Sequence, residues 1–573
     1  ISIYKCYNLR KCLKVVVVIF HSFKNFKHGI FTLCLLINLI AWIGLFLFRI
    51  FSTFLLERAA VPLISFTNIT NIIIKHPFVA TGLVIEFIVF LLLTFWLATI
   101  AIIGFKMLLT ESFNWDTLFQ KSLEVLGRYH LLGGIITGVY LLGFLPFLHF
   151  LFKTPWLSNL TLTSMVTEFV SRNPFSLVGG QLLYICLLYF LIRFYLVLPL
   201  MVLENEGILS SLKISWQTTS TKNFWKKFWL ALIKVFLITW SGYLVILLLQ
   251  VIADWILPTY NLLAINYALF SLWGIASLGI SITLAYTEVQ ITNPRRTFLL
   301  EFLLIAITFT LSFAIGKVLF NHPINPVTIA HRGVNQKNGV PNTLESLKKT
   351  IKYHPDYIEM DVHMTKDNKF IVLHDNNLKK LAGIKAHPED LTLAELKKLN
   401  VTANNHQTKL TDFDTYLKYA NQHHQKLLIE LKTTPNNATD FANIFAKRYY
   451  ANIIENHHQL HTLDFQTLMI LQNDIPKGNL NYLMPYNLTI PEENIHAYGM
   501  RYSTLSPDFV AINRQKHKLV YAWTPNSRLA INKALSLGVN GIVTDNVSQL
   551  HVAIKEAQHW SDAERLLQVL LYS

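Results

Sequence analysis

The chain has 573 residues, 52% of them hydrophobic, with a formal net charge of +16 and four cysteines. Residues 321–573 hold 27 Lys and Arg against 23 Asp and Glu, so +12 of the excess lies in the first 320 residues, which are dominated by Leu, Ile, Phe and Val. A basic excess in an apolar segment is a membrane-topology signal, not a nucleic-acid footprint. Cys6, Cys12, Cys34 and Cys186 all lie in that segment, which excludes disulfides and thiolate metal sites from the remainder.

Apolar stretches near 30–56, 78–105, 130–152, 178–203, 229–257, 263–288 and 298–320 each approach or exceed the roughly 20 residues needed to cross a bilayer. The spacing therefore predicts seven spans in a domain covering 1–320. The N-terminal segment and alternate loops carry 15 Lys and Arg, among them Lys11, Lys106, Lys226 and Arg296, while the intervening loops carry 4, Arg58, Lys75, Lys153 and Arg172. The positive-inside rule then puts the N-terminus inside the cell membrane and, after an odd number of spans, the C-terminal domain outside. Arg49 reads as a snorkelling residue near a span end, whereas Glu86 and Arg193 read equally as structural ion pairs or as functional charges.

From residue 322 to 573 strand-like and helix-like runs alternate. Val327–Ala330 reads as a strand and 343–353 as a helix; Tyr357–Val362 and Phe370–Leu373 read as strands, the second an excursion. Helices are expected at 391–399 and 412–423, a strand at Leu427–Leu431 and a helix at 438–448. Strands are expected again at Leu468–Leu471, Leu519–Trp523 and Gly541–Thr544, with a helix at 527–537. The whole chain thus reads as a multi-span all-α membrane domain followed by an α/β domain, and a (β/α)8 TIM barrel fits its length. In that fold chemistry sits at the C-terminal ends of strands.

Three of these strands end in polar clusters: Ala330-His331-Arg332-Gly333, Glu359-Met360-Asp361-Val362-His363 and Glu430-Leu431-Lys432; a fourth cluster, Leu373-His374-Asp375, closes the excursion. Glu359 and Asp361 are two apart on one strand and share a face, and with Glu430 they make a hard-cation set for one Ca²⁺ or Mg²⁺. His331 and His374 can move protons near neutral pH. Arg332 offers a fork that fits phosphate, and Lys432 adds a point charge. His363 borders the cation set without counting as a ligand. His457, His458 and His461 have a spacing compatible with metal binding but read in preference as a solvated helix or loop face, and the pair His423-His424 reads the same way.

Together with the Thr365-Lys366-Asp367 turn, Ala522-Trp523-Thr524-Pro525-Asn526 and Gly541-Ile542-Val543-Thr544-Asp545, these motifs resemble the glycerophosphodiester phosphodiesterase family over about 322–560. The preceding segment is similar to the multi-span domain fused to some bacterial members. The resemblance implies a (β/α)8 barrel that cleaves glycerophosphodiesters to glycerol 3-phosphate and an alcohol. It implies His331 and His374 as acid and base, Glu359, Asp361 and Glu430 as metal ligands, Arg332 and Lys432 as phosphate contacts, and Trp523 as a pocket wall. The expected partners are a bilayer and a lipid- or wall-polymer-derived diester. The alternative is a lipid- or polymer-binding or transport protein whose barrel is a low-turnover sensor. One departure stands out: Pro341 occupies the position of the Glu in the family's Pro-Glu-Asn-Thr run, with Asn342 expected to cap the following helix and Glu345 expected on its surface.

Overall fold

The computed structural model describes residues 28–59, 61, 69–110, 113–152, 174–256, 260–285, 298–321, 323–434, 437–485 and 494–572. The chain forms two compact units, residues 1–55 with 77–317 and residues 56–76 with 318–573. Among the described residues seven helical segments are long and apolar enough to cross a membrane: Gly29–Arg58, Pro77–Leu109, Trp115–Leu145, Val178–Leu203, Lys222–Ile256, Leu262–Ile280 and Leu299–Phe320. The number agrees with the hydropathy reading, but the third begins at Trp115 instead of near 130. Asn114 caps it by accepting a hydrogen bond from the Thr117 N–H, and the charges of Asp116, Lys121, Glu124 and Arg128 conceal its first turns from a hydropathy scan.

Arg49, Glu86 and Arg193 are all buried. Glu86 accepts a 2.8 Å bond from the Ser52 hydroxyl. Arg193 donates to the Trp216 carbonyl and the Ser220 hydroxyl, each at 2.8 Å, and its guanidinium stands 3.9 Å from the centre of the Trp216 ring. These partners give Arg193 a structural role, tying the end of helix Pro174–Arg193 to helix Ile208–Thr218.

Among its described residues the second unit contains twelve strands: β1 Val327–Ala330, β2 Tyr357–Met364, β3 Phe370–Val372, β4 Asn400–Ala403, β5 His406–Lys409, β6 Thr411–Asp412, β7 Lys426–Leu431, β8 Gln459–Thr462, β9 Leu480–Met484, β10 Ala497–Arg501, β11 Leu519–Trp523 and β12 Gly541–Thr544. β1, β2 and β7 to β12 run parallel, and β1 pairs with both β2 and β12, which closes an eight-stranded barrel. The remaining strands belong to an insertion between β2 and β7. There β3 pairs antiparallel with the end of β2, β6 with β3, and β4 with β5 in a separate hairpin.

Alternation along each strand sorts side chains into two environments. Ile358, Met360, Leu427, Ile429 and Leu460 pack outward with Phe441, Phe445 and Leu468 between strands and helices. The other parity fills the barrel, where Ile329, Leu428, Ala497, Tyr521 and Val543 form an apolar cluster. Two residues further along the same strands stand His331, Glu430, Trp523 and Asp545. The barrel interior thus changes from apolar to charged toward the C-terminal ends of its strands.

Leu468–Leu471 is not a strand. It lies in helix Phe465–Asp474, which Asp464 caps and which buries Thr467, Leu468 and Leu471 at helical spacing. The strands in that part of the chain are β8, β9 and β10; inward Gln459 and His461 on β8 and Asn481 on β9 break the apolar run expected of a buried parallel strand. The helix expected at 391–399 is shortened to Leu393–Leu396.

Candidate active site

β1 ends in a single 3₁₀ turn, His331–Gly333. Arg332 there adopts a left-handed φ of 52° and its backbone N–H donates to Glu359 Oε2 at 2.7 Å. Gly333 follows with φ 65°, and a Cβ at that position would stand 2.7 Å from the Tyr416 hydroxyl, so both backbone and space require glycine. His331 Nδ1 lies 2.7 Å from Asp545 Oδ1, and Nε2 lies 4.0 Å from Glu359 Oε2. Burial by itself would lower the His331 pKa. The Asp545 hydrogen bond and the Glu359 charge outweigh it and hold the imidazole above its ordinary value. Asp545 is held in turn by Asn526, whose side-chain amide donates to its carboxylate and whose oxygen accepts the Asp545 N–H.

Glu359 and Asp361 on β2 and Glu430 on β7 are all buried, with Asp361 in register with Glu430. Lys432 Nζ lies 2.6 Å from Glu430 Oε1 and 3.2 Å from Asp361 Oδ1, and Arg332 Nε lies 3.6 Å from Asp361 Oδ2. Burial works to raise the Asp361 pKa, yet Lys432, His374 and Arg332 together with an Asn342 hydrogen bond hold the carboxyl well below the usual range. For Glu430 burial wins and the pKa is raised despite Lys432.

Asn342 is not the helix cap. Thr343 caps helix Leu344–Thr350 in a reciprocal box with Ser346. Asn342, with φ 62°, instead grips Asp361 from both sides: its amide donates to Oδ2 at 2.8 Å and its oxygen accepts the Asp361 N–H at 3.1 Å. Pro341 contributes no polar group to this arrangement, and Glu345 is exposed, as its first-turn position implies.

His374 follows β3 and pairs with its neighbour, Nδ1 to Asp375 Oδ1 at 2.8 Å. It is steered by backbone: Leu373 N–H bonds to the Asp361 carbonyl at 2.9 Å, and the His374 carbonyl lies 3.2 Å from His363 Nε2. His374, Asp375, Glu430 and Lys432 open onto a cavity of about 1330 Å³, to whose wall residues 56–76 of the same unit contribute Ala59, Val61, Lys75 and His76. Trp523 stands at the end of β11, its indole N–H bonded to the Gly499 carbonyl at 2.9 Å and the Arg501 guanidinium 4.9 Å from its ring centre.

The structure corrects the reading of the histidines near 460. His457 is exposed, but His458 and His461 are buried. His461, on β8, has Nε2 3.7 Å from Glu359 Oε1, and one ligand atom each from Glu359, Glu430 and His461 lie within 4.8 Å of one another. Asp545, which the motifs include without a role, and His461, which reads as solvated, are both brought into this cluster by the fold. The available signal was positional: in a closed barrel the last strand abuts the first, and Gln459 and His461 share a face two residues apart.

His458 is structural. Its Nδ1 accepts the Leu427 N–H at 3.0 Å and its Nε2 lies 2.8 Å from Asn421 Oδ1. Burial lowers its pKa to about 4 from 6.5. Between those values the unfolded chain binds a proton that the folded chain refuses, so this contribution to stability is complete above pH 6.5 and is lost as pH falls toward 4. The loss approaches about 3 kcal/mol at the acid end. We expect His458→Asn to cost about 2 kcal/mol at neutral pH and to flatten the acid side of a plot of melting temperature against pH. An unchanged acid slope would contradict this account.

Two family models match the chain. "Membrane domain of glycerophosphoryl diester phosphodiesterase" covers residues 17–293, and "Glycerophosphoryl diester phosphodiesterase family" covers residues 331–549. The Bacillus subtilis (strain 168) protein YhdW, which carries a provisional glycerophosphodiester phosphodiesterase name, is 25% identical over 244 residues, 40% of this chain and 98% of its own. A glycerophosphodiester phosphodiesterase of Caldanaerobacter subterraneus subsp. tengcongensis is 22% identical over 233 residues, 39% of this chain and 96% of its own. The crystal structure of a glycerophosphodiester phosphodiesterase from Parabacteroides distasonis is similar over 40% of this chain and 98% of its own, at 24% identity and a TM-score of 0.37.

Proposed function

Because the chain belongs to the glycerophosphoryl diester phosphodiesterase family in its membrane domain and its barrel alike, we propose that the barrel hydrolyses glycerophosphodiesters to glycerol 3-phosphate and an alcohol, with one divalent cation, at the outer face of a cell membrane. One observation carries this reading: two imidazoles, each bonded through Nδ1 to a carboxylate, converge with Glu359, Asp361, Glu430 and Lys432 at one end of the barrel. The site also fits a cation, since buried acidic groups and an imidazole nitrogen without a hydrogen bond face one another there. Glu359, Asp361 and Glu430 would hold it. When bound, the cation neutralises charge on phosphate oxygens and acidifies a nearby hydroxyl.

The side chains divide the remaining work. Asp545 fixes the His331 tautomer through Nδ1 and leaves Nε2 to exchange the proton; Asp375 does the same for His374. One imidazole takes the proton of the glycerol hydroxyl that attacks phosphorus, and the other protonates the departing alcohol oxygen. Water then opens the cyclic phosphate. Arg332 and Lys432 orient the phosphate oxygens, and Trp523 walls the substrate pocket. The complete pair of His–carboxylate dyads favours turnover over a sensing role.

The outer location rests on the distribution of Lys and Arg. The grouping of residues 56–76 with the barrel agrees with the odd span count, which puts the connection after span one and the domain after span seven on one side, whichever side that is. The test is a product assay on full-length protein in detergent with glycerophosphocholine, a lysophospholipid and a glycerophosphate polymer. We expect glycerol 3-phosphate from at least one of them, loss on chelation, and recovery on re-adding cation. Activity indifferent to chelation would refute the metal-assisted reading.

A further inference from the structure

A site confined to Glu359, Asp361 and Glu430 offers oxygen alone. The neighbouring strand adds nitrogen. β8 lies beside β7 with His461 in register with Glu430, so its imidazole enters the barrel at the level of the carboxylates. The residue is 4% exposed, and its Nε2 has no hydrogen bond. That nitrogen stands 3.7 Å from Glu359 Oε1, too far for a hydrogen bond, yet within the 4.8 Å grouping of Glu359, Glu430 and His461 ligand atoms. A buried polar atom without a partner is costly, by about 1–3 kcal/mol, unless something absent from the protein satisfies it. Three converging donors, two carboxylates and one imidazole, specify what that is.

We propose that His461 binds the cation directly through Nε2, completing a mixed carboxylate–imidazole site that favours a first-row transition dication over Ca²⁺ and Mg²⁺. Ca²⁺ and Mg²⁺ take oxygen ligands, whereas imidazole suits transition ions. The inference rests on the cation reading above and changes which ion that reading selects. His331 is the competing nitrogen, with Nε2 4.0 Å from Glu359 Oε2, but that nitrogen is assigned to proton transfer.

The experiment uses full-length protein in detergent, Mn²⁺ as the probe, and electron paramagnetic resonance as the readout. Free Mn²⁺ signal counts binding, and spin-echo modulation from directly bound ¹⁴N reports imidazole coordination, so the first measurement needs no variant. We expect nitrogen modulation in the wild type, its loss in His461→Gln and its retention in His331→Gln. We also expect the Ca²⁺ excess needed to displace Mn²⁺ to fall by about tenfold or more in His461→Gln, at least the loss usual for removing a group that only orients a ligand. Bound Mn²⁺ without nitrogen modulation, or modulation that survives in His461→Gln, overturns the proposal while leaving an all-oxygen site standing. A wild type that binds no Mn²⁺, Ca²⁺ or Mg²⁺ overturns both this proposal and the cation reading beneath it.

Discussion

His331→Ala is expected to lower kcat/KM for glycerophosphodiester hydrolysis by about a thousandfold, within the range usual for a lost general acid or base. The residue is placed by two ends of the barrel at once: the 3₁₀ turn after β1 carries it, and Asp545 after β12 holds its Nδ1 at 2.7 Å. A steady-state assay on full-length protein measures the loss, and a drop of less than about tenfold would remove His331 from the chemistry. Asp545→Asn makes a finer test. Asp545 raises the His331 pKa by hydrogen bond and by charge, against a burial effect that pulls it down. With the carboxylate gone, burial is less opposed and the pKa falls. The limb of the pH–rate profile belonging to His331 therefore moves to lower pH, the ascending limb if His331 is the base and the descending limb if it is the acid. A profile that keeps its position while its height falls would assign Asp545 to packing alone.

The strands legible in the sequence are those with a sustained apolar run around their polar residues. β1, β7, β11 and β12 have apolar cores that break into Arg332, Lys432, Trp523 and Asp545 at or just past their ends, and in β2 the apolar Ile358, Met360 and Val362 flank Glu359 and Asp361. β8 and β9 carry Gln459, His461 and Asn481 inside the barrel, where they bond to one another or face the carboxylates, so their polarity resembles that of a surface segment. The same physics explains why His461 reads as solvated in the sequence and why Leu468–Leu471, apolar on a helix face, reads as a strand. Asn342 illustrates a different limit. Its residue type suits a cap, but its left-handed backbone and both bonds to Asp361 arise only once β2 lies beside the loop after β1. The Pro341 departure loses some of its weight in consequence, because the contact that positions Asp361 comes from the next residue.

Lys432→Met is expected to destabilise the protein by about 3–5 kcal/mol when divalent cations are withheld, the usual consequence of removing one partner from a buried charge pair. Lys432 Nζ is the positive charge nearest both carboxylates, 2.6 Å from Glu430 and 3.2 Å from Asp361, and its side chain is 14% exposed. Methionine keeps the apolar stem and removes only the ammonium, leaving two buried carboxylates facing each other with less compensation. A bound cation replaces the missing charge. The cation-induced rise in melting temperature should therefore be larger in Lys432→Met than in the wild type. Protonation offers the other relief: Glu430 is already raised by burial, and losing Lys432 raises it further, so the deficit should narrow as pH falls. Activity should not return with stability, since the cation restores the fold of the site while the ammonium that orients the phosphate stays absent. Thermal melts in chelator and in Mn²⁺, run beside the product assay, separate the two roles. Equal cation-induced shifts in variant and wild type would show that Lys432 and the cation do not neutralise the same carboxylates.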